Sequence, residues 1–233
     1  MRATSRKGEA DLEGRSIAYR ACSRFVLDLE ARGDPNLRTD IGRDVETASS
    51  HGVDLGSSGA ATWREDDGGL PAELPPYEAE YGVAHVFLKS QVMADVAGFY
   101  RAFGVTVADA HRDRPDHLAT ELEFMHFLAL KTAMGERAAH PLAELCRSAM
   151  QKFFAEHLAA WAPAYFASLA RTLPPPVSDF AVAAERFLIA EAARFGSEAP
   201  PSPLQRTPSP PPGATDQECG LPGPDLRDRP WPA

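Results

Sequence analysis

From Leu118 onward the apolar side chains Leu118, Leu122, Met125 and Ala129 recur at spacings of four, three and four. That period lays them along one face of an α-helix and is incompatible with a half-buried strand, whose side chains alternate every second residue. The same spacing returns along the chain: Ile17, Ala21, Phe25 and Leu29; Val92, Val96, Phe99 and Phe103; Phe154, Leu158, Trp161 and Tyr165; and finally Phe180, Ala184, Phe187 and Leu188. No strand alternation and no internal repeat compete with it. The prediction is an all-α chain, a single-domain helical bundle with disordered N- and C-terminal tails. Helices are predicted over 16–31, over 81–103, from the segment before Leu118 to about Met134, and over 141–173. Pro163 should kink that last stretch or begin a new helix, because its ring blocks the preceding turn. Ser178 is the predicted cap of a final helix.

Between these helices the pattern lapses. Residues 1–14 are polar and are expected to be disordered, 15–195 form the helical domain, and 196–233 form a tail crowded with proline, as in Pro208-Ser209-Pro210-Pro211-Pro212. Such a tail has too few apolar side chains to offset its ordering entropy. Within the domain, 32–76 reads as a loop-rich insertion, either short helices or disorder.

Composition excludes several functions. Thirty-three acidic against 24 basic residues give a formal net charge of −9, unfavourable for binding nucleic acid through its phosphates. No run of about 18 apolar residues and no apolar signal segment is present, so the expectation is a cytoplasmic protein with no membrane span. Cys22, Cys146 and Cys219 lie far apart without a C-x-x-C pair, which speaks for a reducing compartment. Nucleotide-binding glycine loops and nucleophile-elbow motifs are absent.

The polar residues that stand out precede Leu118. In Arg114-Pro115-Asp116-His117 the proline suits a first helical turn, and Asp113 is placed to cap it. Asp116, His117 and Glu121 are expected near the helix entrance on a face other than the apolar one. His117 and Glu121, four apart, would be surface neighbours. One reading makes Asp116 a dipole-favoured N-terminal acid beside a histidine in a local network; the other makes the group a binding site. Tyr77, Glu78 and Tyr81 form a second candidate cluster, either the wall of a peptide groove or a one-turn packing pair. Trp161 and Pro163 read as structural. His117, Glu121 and His126 share a helix, but His126 points about 180° from His117 and H-E-x-x-H is absent, so no metal site is expected.

Four stretches carry a resemblance: Arg114 to Met125 with its Asp-His pair, Pro76-Tyr77-Glu78-Ala79-Glu80-Tyr81-Gly82, Asp95 to Gly104, and Phe154 to Pro163. In order and spacing the chain resembles the TorD/DmsD/NarJ family of molybdoenzyme assembly chaperones over roughly 75–195, with a weaker match at 16–29. In some branches a residue separates the proline from the Asp-His pair, whereas here Pro115 touches Asp116. The Glu-Leu-Glu-Phe-Met continuation is closer to the branch serving dimethylsulfide and ethylbenzene dehydrogenases and selenate and chlorate reductases.

The resemblance implies a non-enzymatic cytoplasmic chaperone without a cofactor of its own, monomer or homodimer. Its partner would be the catalytic molybdopterin subunit of an oxidoreductase, bound through a twin-arginine leader while the molybdenum cofactor is inserted. Client-binding residues would be Asp116, His117, Glu121, Pro115, Tyr77, Glu78 and Tyr81. Asp116, Glu121 and Glu123 would face the leader's arginines, and His117 would orient Asp116 or donate to a peptide carbonyl. Charge reversal at Asp116 should then weaken binding without unfolding the protein. Two rivals stand beside this: an assembly factor gripping the body of a non-exported subunit, and a small helical hydrolase using His117 and Glu121.

Overall fold

The computed structural model describes residues 2–56, 63, 69–81, 86–107, 114–198 and 204. In those residues the helical period is realised as seven α-helices with no strand: α1 (Arg2–Glu30), α2 (Pro35–Ser50), α3 (Val86–Ala102), α4 (Leu118–Arg137), α5 (Leu142–Phe153), α6 (Ala162–Thr172) and α7 (Val177–Phe195). A 3-10 turn occupies Glu78–Glu80 and a π turn Phe154–Leu158.

Helix α1 is the centre. It packs against α2 and α4, while α4 pairs with α5 and α6 with α7. The Phe25 ring lies 5.5 Å from Trp63, 6.2 Å from Phe166 of α6 and 4.7 Å from Phe180 of α7. A helix enclosed on several sides buries more than one stripe. Accordingly Ala18, Tyr19, Cys22 and Val26 are buried together with the predicted Ala21, Phe25 and Leu29. Burial also pushes the Cys22 thiol far above its ordinary range, so it packs as a small apolar group. In α4 the predicted face of Leu118, Leu122, Met125 and Ala129 is buried in full.

One expectation is corrected and two segments gain detail. Helix α1 begins at Arg2; within it Leu12 is buried and Asp11 pairs with Arg194 of α7. The insertion at 32–76 contains α2, begun by Pro35 and capped by Asp34, whose side chain accepts from the Asn36 amide at 2.8 Å. Its apolar stripe is only Ile41, Val45 and Ala48. Buried Asp44 does the remaining attachment, accepting from Arg20 at 2.7 Å and Arg24 at 2.6 Å on α1. Ser178 does not cap α7; it sits buried in the first turn after the N-cap residue Pro176. Pro163 starts α6, the second of its two predicted outcomes. The proline-rich tail lies outside the described residues apart from 196–198 and Leu204, which packs against the core.

The α4–α5 hairpin depends on Gly135. A Cβ there would stand 2.9 Å from Ala143 Cβ and 3.1 Å from its Cα and N. Backbone cannot retreat as a flexible side-chain end can. Gly135→Ala would gain about 1 kcal/mol from helix propensity alone, but overpacking costs about 1–3 kcal/mol. The expected result is a lower urea midpoint; an unchanged or higher one would show that the hairpin relaxes around the methyl group.

Candidate functional site

Two distant segments meet just before α4. The 76–78 backbone pairs with 116–118 as an antiparallel bridge centred on Tyr77 and His117. The Glu78 amide donates to Asp116 O at 2.9 Å and the Leu118 amide to Pro76 O at 2.8 Å. This clip covers the entrance of α4, and it changes the expected geometry. Pro115 and Asp116 precede the helix instead of forming its first turn, and His117 is the N-cap, accepting from the Ala119 amide at 3.1 Å through Nδ1. The predicted cap Asp113 lies outside the described residues.

Asp116, His117 and Glu121 are therefore not on a solvent face: each is 0 % exposed. Asp116 accepts both arms of the Arg114 guanidinium, at 2.9 and 3.0 Å, and also caps the 3-10 turn by accepting from the Ala79 amide at 3.1 Å. Arg114 in turn lies 4.0 Å over the Tyr77 ring. With Nδ1 accepting, His117 holds its proton on Nε2, 3.0 Å from Glu30 Oε1 at the end of α1. Reversing the charge of Asp116 would set a cation against Arg114 in a closed site, so this substitution is expected to destabilise the protein, contrary to the sequence reading.

Glu121 is the anomaly. Neither of its oxygens meets a donor although both are buried. Burial, reinforced by the charges of Glu78 and Asp116, holds its carboxyl well above the ordinary carboxylate range. Protonated, it can donate to Glu78. Burial raises Glu78 as well, opposed by its hydrogen bond to His157 Nδ1 at 3.1 Å. Tyr81 stacks on Trp161 with centroids 5.4 Å apart and donates to Pro75 O at 2.7 Å, fastening the far side of the clip.

The structure thus brings together all seven sequence candidates but makes most of them framework. Sequence reasoning missed Arg114, Glu30 and His157 as members of this network. Arg114 and His157 stood inside the quoted motifs, but nothing local to Glu30 points to a partner 87 positions away. His126 is held elsewhere, by Ser16 Oγ at 2.8 Å. The hydrolase reading loses its geometry, since His117 is committed as a cap and neither it nor Glu121 lines the grooves described next.

Two grooves flank the clip. The larger, about 460 Å³, opens along α4 from Ala119 to Leu130 and is walled by Leu27, Tyr100, Val105, Val107, Phe124 and Phe127, with Glu123 on its lining. The smaller, about 260 Å³, includes Pro115 and shares Tyr100 and 105–107 with the first. The Tyr100 hydroxyl donates to Pro115 O at 3.1 Å, tying both to the Asp-His segment. No helix among the described residues is long and apolar enough to cross a membrane.

Comparison with known proteins places this region. A family model described as "Nitrate reductase delta subunit" matches residues 67–167, a span that contains all four motifs. A selenate reductase assembly chaperone protein of Thauera selenatis is 32% identical over 109 residues, covering 47% of this chain and 55% of that protein. A perchlorate reductase assembly chaperone protein of Dechloromonas aromatica is 36% identical over 91 residues, covering 38% of this chain and 40% of its own length. The chlorate reductase assembly chaperone protein of Ideonella dechloratans is 38% identical over 72 residues, 31% of this chain and 37% of the relative. The chain thus spans about half or less of the relatives it matches. With the helical fold and the Tyr77–His117 clip inside the matched stretch, the chain is similar over 67–167 to the nitrate reductase delta subunit family, and over part of its length to assembly chaperones of selenate, perchlorate and chlorate reductases.

Proposed function

We propose that this protein is a non-enzymatic, cytoplasmic assembly chaperone for the catalytic molybdopterin subunit of a DMSO-reductase-family oxidoreductase. It binds the apo-subunit through its twin-arginine leader, aids insertion of the molybdenum cofactor, and delays export by keeping the leader from the export machinery. Release follows when the filled subunit folds and the surface that the chaperone recognises disappears.

The observation that carries this reading is the position of the larger groove. It opens on the first turns of α4, directly past the Asp-His pair, and its α4 wall lies within the stretch that the family model matches. Its apolar walls suit the hydrophobic part of a leader. Of the three acids expected to meet arginine, Glu123 is the exposed one. Asp116, His117, Glu121 and Glu78 then act from beneath, holding Pro115, Tyr77, Tyr81 and the start of α4 in place.

The test is calorimetric titration with the leader of the molybdoenzyme subunit encoded beside this gene. Saturable binding is expected, weakened about tenfold, or 1.4 kcal/mol, by a twin-lysine leader or by Glu123→Lys. A second reading draws on the family description itself, which names a nitrate reductase subunit: the chaperone grips the body of a subunit without a leader. Absence of leader binding by folded protein, with capture of the leaderless subunit, would decide for it.

A further inference from the structure

The sequence offers no local metal motif, but the fold assembles a donor set that spacing could not reveal. Helix α3 and the π turn bring one donor atom each from Asp95, Glu156 and His157 to within 4.8 Å of one another. The His157 side chain is 4% exposed. Its ring is wedged between Phe99 and Phe153, with centroids at 5.6 and 4.9 Å, and the Trp161 indole donates to its backbone carbonyl at 2.6 Å.

The ring's orientation is set from behind. Glu78 Oε2 lies 3.1 Å from Nδ1; with the Nδ1 proton donated there, Nε2 presents a lone pair. That nitrogen is buried without a hydrogen-bond partner and points towards Asp95 Oδ2, 3.4 Å away. A lone pair facing a carboxylate is repulsive, and a positive species between them removes the repulsion. Glu78 supplies what metal-binding histidines ordinarily have behind them, a carboxylate that fixes tautomer and ring orientation.

The size of the cluster separates the positive species. Tetrahedral zinc, with bonds to nitrogen and oxygen of about 2.0–2.2 Å, puts its donors about 3.3–3.6 Å apart. His157 Nε2 and Asp95 Oδ2 already stand 3.4 Å apart, and Glu156 lies within 4.8 Å of both; the Asp95 and Glu156 side chains, 60% and 44% exposed, are free to rotate in. The Lys152 ammonium stays on the rim, 3.9 Å from Glu156 and 64% exposed.

We propose that Asp95, Glu156 and His157 Nε2 form a binding site for a divalent transition-metal ion of the zinc type, water completing the shell. The mixed nitrogen and oxygen donors suit Zn²⁺ better than Mg²⁺ or Ca²⁺, which prefer oxygen alone. The ion would join α3 to the π turn. It plays no catalytic part, and the inference does not depend on the identity of the client.

The test is equilibrium dialysis of the full, untagged chain, stripped with chelator, against Zn²⁺. Wild type is compared with an Asp95→Asn, Glu156→Gln double variant, chosen because both side chains are exposed and their loss leaves the metal-free fold intact. About one ion per wild-type chain is expected, with affinity reduced about tenfold or more in the variant. Zn²⁺ should raise the urea midpoint of wild type and not of the variant. Absence of saturable binding, or equal binding by the variant, would overturn the proposal.

Discussion

Glu191→Ala is expected to cost about 3–5 kcal/mol of folding stability, the range for breaking one partner of a buried ion pair. Glu191 on α7 accepts from Arg15 Nε on α1 at 2.8 Å and from the Tyr19 hydroxyl at 2.7 Å, and the Arg15 and Glu191 side chains are 5% and 3% exposed. Removing the carboxylate strands a guanidinium in a closed interior and leaves a buried hydroxyl without its acceptor. Burial, joined by the Glu191 charge, holds the Tyr19 hydroxyl well above its ordinary range, so it cannot compensate by ionising. For a chain of this size the loss corresponds to a fall in Tm of roughly 10 °C. Thermal and urea unfolding would measure it. Replacing both charges, as in Arg15→Met with Glu191→Leu, should restore most of the stability, since a well-packed apolar pair carries no desolvation penalty. A single-variant loss below about 1 kcal/mol would mean that Arg15 turns to Asp11 or water once freed.

Glu121→Gln should have the opposite sign. A buried group without partners costs about 1–3 kcal/mol, and an amide of the same shape would supply Glu78 with a donor at every pH. The pH dependence follows from the raised carboxyl. The folded state keeps a proton that the unfolded state releases near pH 4.3, so the contribution of Glu121 is fully present below that value. It declines as pH rises towards the folded-state value, by up to about 1.4 kcal/mol per unit. Glutamine cannot ionise and removes this slope. The variant should match wild type near pH 4 and exceed it by about 1–3 kcal/mol at neutral pH. Urea unfolding from pH 6 to 8.5 would read the difference, and parallel profiles for the two proteins would show that Glu121 has found a partner or water.

The sequence made the helices legible wherever an apolar stripe was continuous. Leu118, Leu122, Met125 and Ala129 are buried as their spacing required, and Val96, Phe154, Trp161 and Phe187 likewise. For α2 the sequence left short helices and disorder both open because ion pairs attach much of it: Asp44 and Arg38, which look like surface residues in a string of letters, are 2% and 8% exposed. The contacts of the segment before residue 15 are not legible locally, because they are distant, Asp11 meeting Arg194 183 positions later.

The candidate site divides along the same line. Local spacing determined that His117 and Glu121 share one end of a helix and that Tyr77, Glu78 and Tyr81 lie in one short segment, because one turn of backbone geometry sets those distances. It could not determine that the two segments are clipped together by the Tyr77–His117 bridge. That clip takes Asp116, His117 and Glu121 out of water, gives His117 its cap and denies Glu121 a donor. Burial and partnership depend on which distant backbone lies over a side chain. So the period of the apolar residues determined an all-α fold by itself, while tertiary packing alone decided which acids could meet solvent, a proton or a cation.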